Sequence, residues 1–124
     1  MKINDLVFDA HKNAVEKGFY NSQRNVPELL MLIVSELGEA CEALRKNKIT
    51  NTKPLLSNPL NDFEHPQWLF NFEGFVKDTF EDEIADCFIR LADLCGYMGI
   101  DIESHIKAKM EYNKTRPKKH GKSF

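Results

Sequence analysis

Two stretches of the chain repeat apolar side chains every three or four positions, which is the spacing of one face of an α-helix. The first stretch covers residues 27–46 and opens with Pro27, a residue suited to the first turn of a helix. The second covers residues 77–98. Long amphipathic helices must bury their apolar faces against each other or against further helices. These two stretches therefore constrain the fold more than any other feature.

The apolar face of the first long helix is predicted to consist of six residues, Leu30, Ile33, Val34, Leu37, Cys41 and Leu44. At about 100° per residue, Glu36 and Glu39 fall beside this face, whereas Glu42 falls on the solvent side. The second long helix carries apolar residues on two sides. This pattern is typical of a central helix that contacts several neighbours or another subunit.

The remaining segments extend the helical pattern. Residues 3–17 and 102–114 predict two shorter helices; Gly18 is a stop signal for the first, and Asp101 is an N-cap for the second. Residues 47–75 contain several Asn and Pro residues but many aromatic ones, which predicts a packed insertion with short helical turns, acting as a lid or a subunit contact. Residues 117–124 form a basic, loosely ordered tail. We expect one all-α domain over residues 1–124, a bundle of four to five helices.

Composition excludes several classes of function. A chain of 124 residues with a net charge of -2 has little bulk attraction for nucleic acid or an anionic membrane. No apolar run has the length of a membrane span, and the N-terminus does not resemble a signal peptide. Three distant cysteines, Cys41, Cys87 and Cys95, suggest neither a disulfide framework nor a zinc site. We expect a cytoplasmic protein that uses all three as small core residues.

Charge is distributed unevenly despite the small net value. From Lys107 onward there are seven Lys or Arg residues and a single acid, Glu111. Acids gather at residues 36–42 and 78–86 instead.

Two acidic motifs, Glu36-x-x-Glu39 and Glu83-x-x-Asp86, place pairs of carboxylates on one side of each long helix. If the helices pack antiparallel, the four carboxylates converge. Like charges 4 Å apart repel by about 4 kcal/mol at an effective dielectric constant near 20, so such a cluster requires cations or protons. A hard divalent cation, Mg²⁺ above all, is the natural choice. The alternative is a solvated acidic face that nearby lysines neutralise, and spacing alone does not decide between them.

A di-iron carboxylate bundle is the competing metal site. It requires Glu-x-x-His on two helices, and none of the four histidines follows a glutamate at that spacing. An all-oxygen site favours Mg²⁺ over iron.

With these motifs the sequence resembles the MazG-like all-α nucleoside triphosphate pyrophosphohydrolases. The likeness lies in LMLIVSELGEACEALR and DTFEDEIADCFIRLADL, and in KMEYNKTRPKKHGK, which contains the pattern K-x-x-x-N-x-x-R. The two acidic motifs are separated by 43 residues, a long gap for this family, and the stretch near 48–75 has no motif support.

The resemblance implies Mg²⁺-dependent hydrolysis of an NTP or dNTP to the monophosphate and pyrophosphate, with Mn²⁺ as a substitute, and a role in cleansing the nucleotide pool. It also implies a homodimer or homotetramer. The residues that match the metal ligands are Glu36, Glu39, Glu83 and Asp86. Those that match the phosphate-binding residues are Lys109, Asn113 and Arg116.

The chemistry suggests further roles. Glu39 is the candidate to orient or deprotonate the attacking water. His11 and Tyr20 form a candidate nucleotide pocket, although His11 fits a boundary histidine better. Phe19 and Trp68 are other candidates to stack on a base, in segments whose aromatic residues are more often core. Two alternatives stay open: a non-enzymatic helical dimerisation or binding module with surface carboxylates, and an enzyme of the same fold acting on another diphosphate-containing substrate.

Overall fold

The computed structural model describes residues 1–123, and Phe124, the last residue of the predicted basic tail, lies outside that range. Those residues form five α-helices and no β-strand, which confirms the all-α prediction. The helices are α1 (Ile3–Glu16), α2 (Val26–Arg45), α3 (Trp68–Phe75), α4 (Phe80–Met98) and α5 (Ile102–Lys114), with short 3₁₀ turns at Pro54–Leu56 and Lys118–Gly121. In this part of the chain, no helix combines the length and the apolar character that crossing a bilayer requires.

The chain divides into two compact units. The terminal unit consists of Met1–Ser22 and the segment from Ala92 onward, and the central unit is Gln23–Leu91. Helix α4 is continuous and contributes residues to both.

Local signals in the sequence account for where the helices begin and end. The Asn25 side chain accepts a hydrogen bond from the Glu28 backbone N–H at 3.0 Å and caps α2, with Pro27 in the first turn. Asp101 caps α5 in the same way through the Ser104 N–H. Gly18 and Gly99, which follow α1 and α4, have φ angles of +87° and +68°. This left-handed conformation costs glycine little and ends a helix.

The buried face of α2 differs from the prediction by about one residue. The buried positions are Leu29, Ile33, Glu36, Ala40 and Ala43. The predicted core residues of the same helix, Leu30, Val34, Leu37 and Leu44, are 44% to 55% exposed. The prediction was wrong because α2 is apolar over a wide arc, and hydrophobicity alone does not select which part of that arc faces the neighbouring helices.

Small side chains dominate the core of both units. The buried apolar residues are mainly alanines and cysteines with a few aliphatic residues, and no large side chain among residues 1–123 is completely buried. Cys87 and Cys95 are buried as predicted, but Cys41 is exposed on α2 because it belongs to the misplaced face. Many large apolar side chains of α2 and α4 stay in contact with solvent.

The predicted insertion, residues 47–75, packs as an ordered segment with short helical elements, as expected. One hydrogen bond joins the two ends of the segment, from Asn51 N–H to Phe75 O at 3.2 Å, and another ties its start to α4, from Phe80 N–H to Lys48 O at 2.8 Å. Within the predicted loosely ordered tail, the structure forms a 3₁₀ turn over Lys118–Gly121.

Candidate metal and phosphate sites

Three carboxylates of the central unit converge, and they come from the two predicted acidic motifs. One oxygen each from Glu36, Glu39 and Glu83 lies within 4.8 Å of the other two. Glu36 on α2 and Glu83 on α4 are each only 7% exposed, whereas Glu39 faces solvent. We refer to these two buried acids and one exposed acid as the acidic cluster.

Asp86, the fourth predicted ligand, is not part of that group of three. It is half-buried on α4, and its pKa is raised first by burial and then by the negative charges of Asp82 and Glu36, while Arg90 opposes the shift. The charge of the cluster therefore affects the pKa of the Asp86 carboxyl group.

The electrostatics of the acidic cluster concentrate on Glu83. Its pKa rises from 4.5 to about 7, first because burial disfavours the charged form. A hydrogen bond with Glu39 and the negative charges of Glu39, Asp86 and Glu36 raise it further. Below about pH 7 the cluster without a cation therefore holds a proton on or close to Glu83.

Arg90 is a member of this site that the sequence analysis missed. Its Nε donates a hydrogen bond to Glu36 Oε1 at 2.5 Å, so one buried carboxylate has a cationic partner inside the protein. A signal was present, because residues 83, 86 and 90 follow the spacing of one helix face. The guanidinium compensates part of the negative charge of the cluster.

Glu42 lies on the solvent side of α2, as predicted. It is exposed and pairs with Arg45 at 3.6 Å and Lys46 at 3.4 Å. It also borders a small open depression of about 130 Å³ next to the acidic cluster. The lining residues are Glu39, Glu42, Ala43, Lys46, Lys48, Asp78 and Glu83.

The three predicted phosphate-binding residues come together in the terminal unit. Lys109, Asn113 and Arg116 line one cavity of about 420 Å³, together with three residues of the tail, Lys119, His120 and Lys122. We refer to these six residues as the basic cluster. The ring of Tyr112 lies under Lys109 Nζ at 4.9 Å and under the Arg116 guanidinium at 5.8 Å.

An amide oxygen in the basic cluster is left without a partner. Asn113 Oδ1 is buried and accepts no hydrogen bond from any residue in the described chain. A buried acceptor in this state costs about 1–3 kcal/mol, so the position suits a ligand or a water that can donate to it.

His11 and Tyr20 also come together in the terminal unit, through a residue that the sequence analysis did not single out. Asp93 Oδ1 contacts His11 Nδ1 at 2.9 Å, and Asp93 Oδ2 accepts a hydrogen bond from the Tyr20 hydroxyl at 2.9 Å. The two rings meet edge to face at 4.9 Å. His11 is thus a satisfied boundary histidine, and its contact with a nucleotide stays a prediction.

The close approach of α1 to α4 at this point depends on a glycine. A Cβ atom added at Gly96 would lie 2.6 Å from the His11 Cβ. Side chains larger than hydrogen would therefore separate the two helices beside the His11–Asp93 pair.

Comparisons of this chain with protein-family models, with curated protein sequences and with solved structures found no match.

Proposed function

We propose that this protein is a Mg²⁺-dependent nucleoside triphosphate pyrophosphohydrolase of the MazG-like type, which releases a monophosphate and pyrophosphate. The observation that carries the proposal is the convergence of Glu36, Glu39 and Glu83, two of them buried, from two helices that were each expected to supply metal ligands. Burying like charges is unfavourable unless a cation compensates them. A cytoplasmic role in removing unwanted nucleotides is part of the same proposal.

The donor set fits Mg²⁺. The three carboxylate oxygens lie within 4.8 Å of one another, so small side-chain shifts would let them hold one oxygen-binding cation such as Mg²⁺. All donors are oxygens, which favours Mg²⁺, with Mn²⁺ as a substitute, over softer metals. Asp86, close enough to affect the cluster electrostatically, is the fourth candidate ligand.

In the proposed reaction we assign metal binding to the acidic cluster and phosphate binding to the basic cluster. Bound Mg²⁺ would supply charge neutralisation of the phosphates and a lowered pKa of water. Glu39 is exposed and hydrogen-bonded to Glu83, so it can accept a proton from an attacking water and pass it to a neighbouring carboxylate. The basic cluster contains the cations that phosphate oxygens require, with the planar fork of Arg116 suited to two oxygens at once.

We also propose that the protein assembles as a homodimer or homotetramer through the exposed apolar side of the central unit. Leu30, Val34 and Leu37 on α2 and Phe88 and Leu91 on α4 are 44% to 63% exposed. Monomeric proteins rarely leave so many large apolar side chains in water, and such surfaces usually mark interaction sites.

A second candidate function is a non-enzymatic helical dimerisation or binding module. The Arg90–Glu36 ion pair favours it, because an internal cation reduces the need for a metal ion. In that case the acidic cluster would serve only to hold α2 and α4 in register.

The experiment that tests the leading proposal is incubation of the purified protein with each NTP and dNTP in the presence of Mg²⁺, followed by identification of the products. We expect pyrophosphate with the monophosphate. We expect Glu39→Gln to lower kcat at least a hundredfold, a typical contribution of a positioned general base. Glu42→Gln, one turn further along α2 and exposed, is the matched control and should keep activity. Orthophosphate with a diphosphate, or turnover unaffected by Glu39→Gln, contradicts the proposal.

A further inference from the structure

A second cavity of the central unit lies between the 47–75 segment and the start of α4. It has a volume of about 430 Å³, within the range of small-molecule binding pockets. Three aromatic rings line it. The rings of Trp68 and Phe72 are nearly parallel, with centroids 5.5 Å apart and an angle of 24°, and Phe63 meets Trp68 edge to face at 5.7 Å.

The indole nitrogen of Trp68 is already hydrogen-bonded to another residue that lines the cavity. Trp68 Nε1 donates a hydrogen bond to the carbonyl oxygen of Leu60 at 2.8 Å. This hydrogen bond fixes the orientation of the indole ring. Because its N–H is already bonded, the ring would contact a ligand through its aromatic face. Phe63 at the same wall is largely exposed, so the aromatic surface is open to a ligand. Aromatic faces of this kind bind flat heterocycles by stacking.

The polar part of the cavity consists mainly of hydrogen-bond acceptors. Glu81 and Asp82 line it together with two threonines. One oxygen of Glu81 accepts hydrogen bonds from Thr50, and one oxygen of Asp82 accepts a hydrogen bond from the Asp78 N–H at 2.8 Å. The Glu81 carboxylate also hydrogen-bonds Thr79, so the second oxygen of Asp82 is the acceptor left for a ligand, and an ionised carboxylate only accepts. A ligand with N–H groups directed at this edge therefore fits better than one with carbonyl groups.

This aromatic cavity and the acidic cluster share the first turn of α4. Glu81 and Asp82 line the cavity, whereas Glu83, the next residue, belongs to the acidic cluster. The hydrogen bond from Asp78 to Asp82 joins the two places, since Asp78 borders the depression beside Glu39 and Glu83. The cavity and the acidic cluster are therefore neighbours along the first turn of α4.

We propose that this cavity binds the base of a nucleotide and prefers bases with an exocyclic amino group, adenine, cytosine and guanine, over uracil and thymine. The inference rests on the proposed function and names its substrate class. It assigns base recognition to Phe63, Trp68 and Asp82 of the central unit rather than to His11 and Tyr20. In uracil and thymine, N3–H lies between two carbonyl groups. Carbonyl oxygens and carboxylate oxygens are both acceptors and repel each other, which is the basis of the preference.

The single tryptophan of the chain makes the test direct, because Trp68 is itself part of the cavity. Deoxyadenosine, deoxycytidine and thymidine are titrated into the metal-free protein while tryptophan emission is recorded, with N-acetyltryptophanamide as the inner-filter control. We expect a saturable change with deoxyadenosine and deoxycytidine and at least fivefold weaker binding of thymidine. These probes contain no phosphate, so the result depends on neither metal nor turnover.

Two substitutions with matched controls locate the binding. Phe63→Leu should raise the Kd about tenfold, equivalent to about 1.4 kcal/mol, whereas Phe70→Leu, an exposed aromatic of α3 that does not line the cavity, should not. Asp82→Asn should reduce the discrimination against thymidine. The control Asp62→Asn, at an exposed acid of the 47–75 segment that does not line the cavity, should preserve it.

Four outcomes overturn the inference: the absence of saturable binding, equal effects of the two phenylalanine variants, unchanged discrimination in Asp82→Asn, or emission that follows protein concentration instead of nucleoside. The last would show that a second copy fills the cavity. Saturable nucleoside binding by a protein that releases no pyrophosphate contradicts the proposed reaction but supports the cavity. If the protein releases pyrophosphate but binds no nucleoside, and Phe63→Leu does not alter the release, the proposed reaction is supported and the base-binding cavity is contradicted.

Discussion

The acidic cluster of the central unit and the basic cluster of the terminal unit hold opposite charges in different ways. Glu36 and Glu83 are buried on two long helices, and burial, followed by the effect of neighbouring carboxylates, raises the pKa of Glu83 to about 7. The basic cluster lies at the end of α5, a helix in which none of residues 102–114 is buried. Buried like charges cost free energy until a cation or proton compensates them, whereas exposed cations cost little.

The contrast implies different roles for the two clusters. The carboxylates are positioned in advance by helix packing, so a bound cation should change the stability of the fold. The lysines and arginine of the basic cluster are hydrated and screened by salt, so they should affect binding of an anion more than stability.

The largest expected effect is stabilisation by Mg²⁺. A cation that binds only the folded protein at 100 times its Kd adds about 2.7 kcal/mol to the free energy of unfolding, which thermal unfolding with and without Mg²⁺ measures as a rise in Tm. We expect Glu36→Gln to abolish this rise and Arg116→Ala to preserve it. If millimolar Mg²⁺ has no effect, or if Arg116→Ala removes the effect as well, the distinction between the clusters fails and the binding-module alternative gains support.

A smaller effect is expected in the basic cluster. Arg116→Ala should raise the KM for a triphosphate about tenfold, equivalent to about 1.4 kcal/mol, because a charge-assisted hydrogen bond to phosphate is lost. Steady-state kinetics measures it, and the free energy of unfolding should change by less than about 0.5 kcal/mol. Lys114→Ala is the matched control, since Lys114 pairs with Glu111 at 2.9 Å and does not line the cavity. Equal kinetic effects of the two variants would exclude a specific phosphate contact at Arg116.

A pH dependence of stability is also expected in the metal-free protein, comparable in size with the effect of Mg²⁺, since each unit of pKa shift is equivalent to about 1.4 kcal/mol. The pKa of Glu83 is raised in the fold from 4.5 to about 7, first by burial, so the fold prefers its protonated form. This contribution to stability is complete below about pH 4.5 and is lost as the pH rises through 7. Denaturant unfolding between pH 4 and 8, with a chelator present, should show the slope, and Glu83→Gln should flatten it.

Asp101 of the terminal unit is expected to give a pH dependence of stability with the opposite sign. A hydrogen bond from the Ser104 side chain, supported by one from Asn4, lowers the pKa of Asp101 below its ordinary 3.8. The stability contributed by ionised Asp101 is present above that value and is lost as the pH falls below it.

The Glu83 prediction is contradicted if the Glu83→Gln protein has the same pH slope as the wild type. That result would show that the buried acid of the central unit does not hold the proton.

The sequence analysis predicted the helices and their ends well, because these depend on neighbouring residues. Asn25 and Asp101 were each close to the predicted helix starts, and Gly18 follows the helix that it was expected to end. The acidic residues were predicted as pairs for the same reason, since residues three apart share one side of a helix. Three of the four predicted ligands converge in the structure.

The partners of the site residues were not predictable in the same way. Arg90 pairs with Glu36 across 54 positions of the chain, and Asp93 pairs with His11 across 82. Such pairs depend on which residues the packing of helices brings together. The aromatic cavity of the 47–75 segment belongs to the same class, because it joins residues of that segment to the first turns of α4.

The sequence by itself determined the helices, their caps and the i, i+3 pairing of the acids, since hydrogen bonds and steric limits within a few residues decide these features. The tertiary structure alone decided which arc of α2 is buried. It placed Glu36 and Glu83 in the interior with Ala40 and Ala43, and it left the larger Leu30, Val34 and Leu37 in water. The physical reason is that burial depends on close packing between distant segments, where small side chains allow helices to approach, and a helix that is apolar over a wide arc does not encode that choice locally.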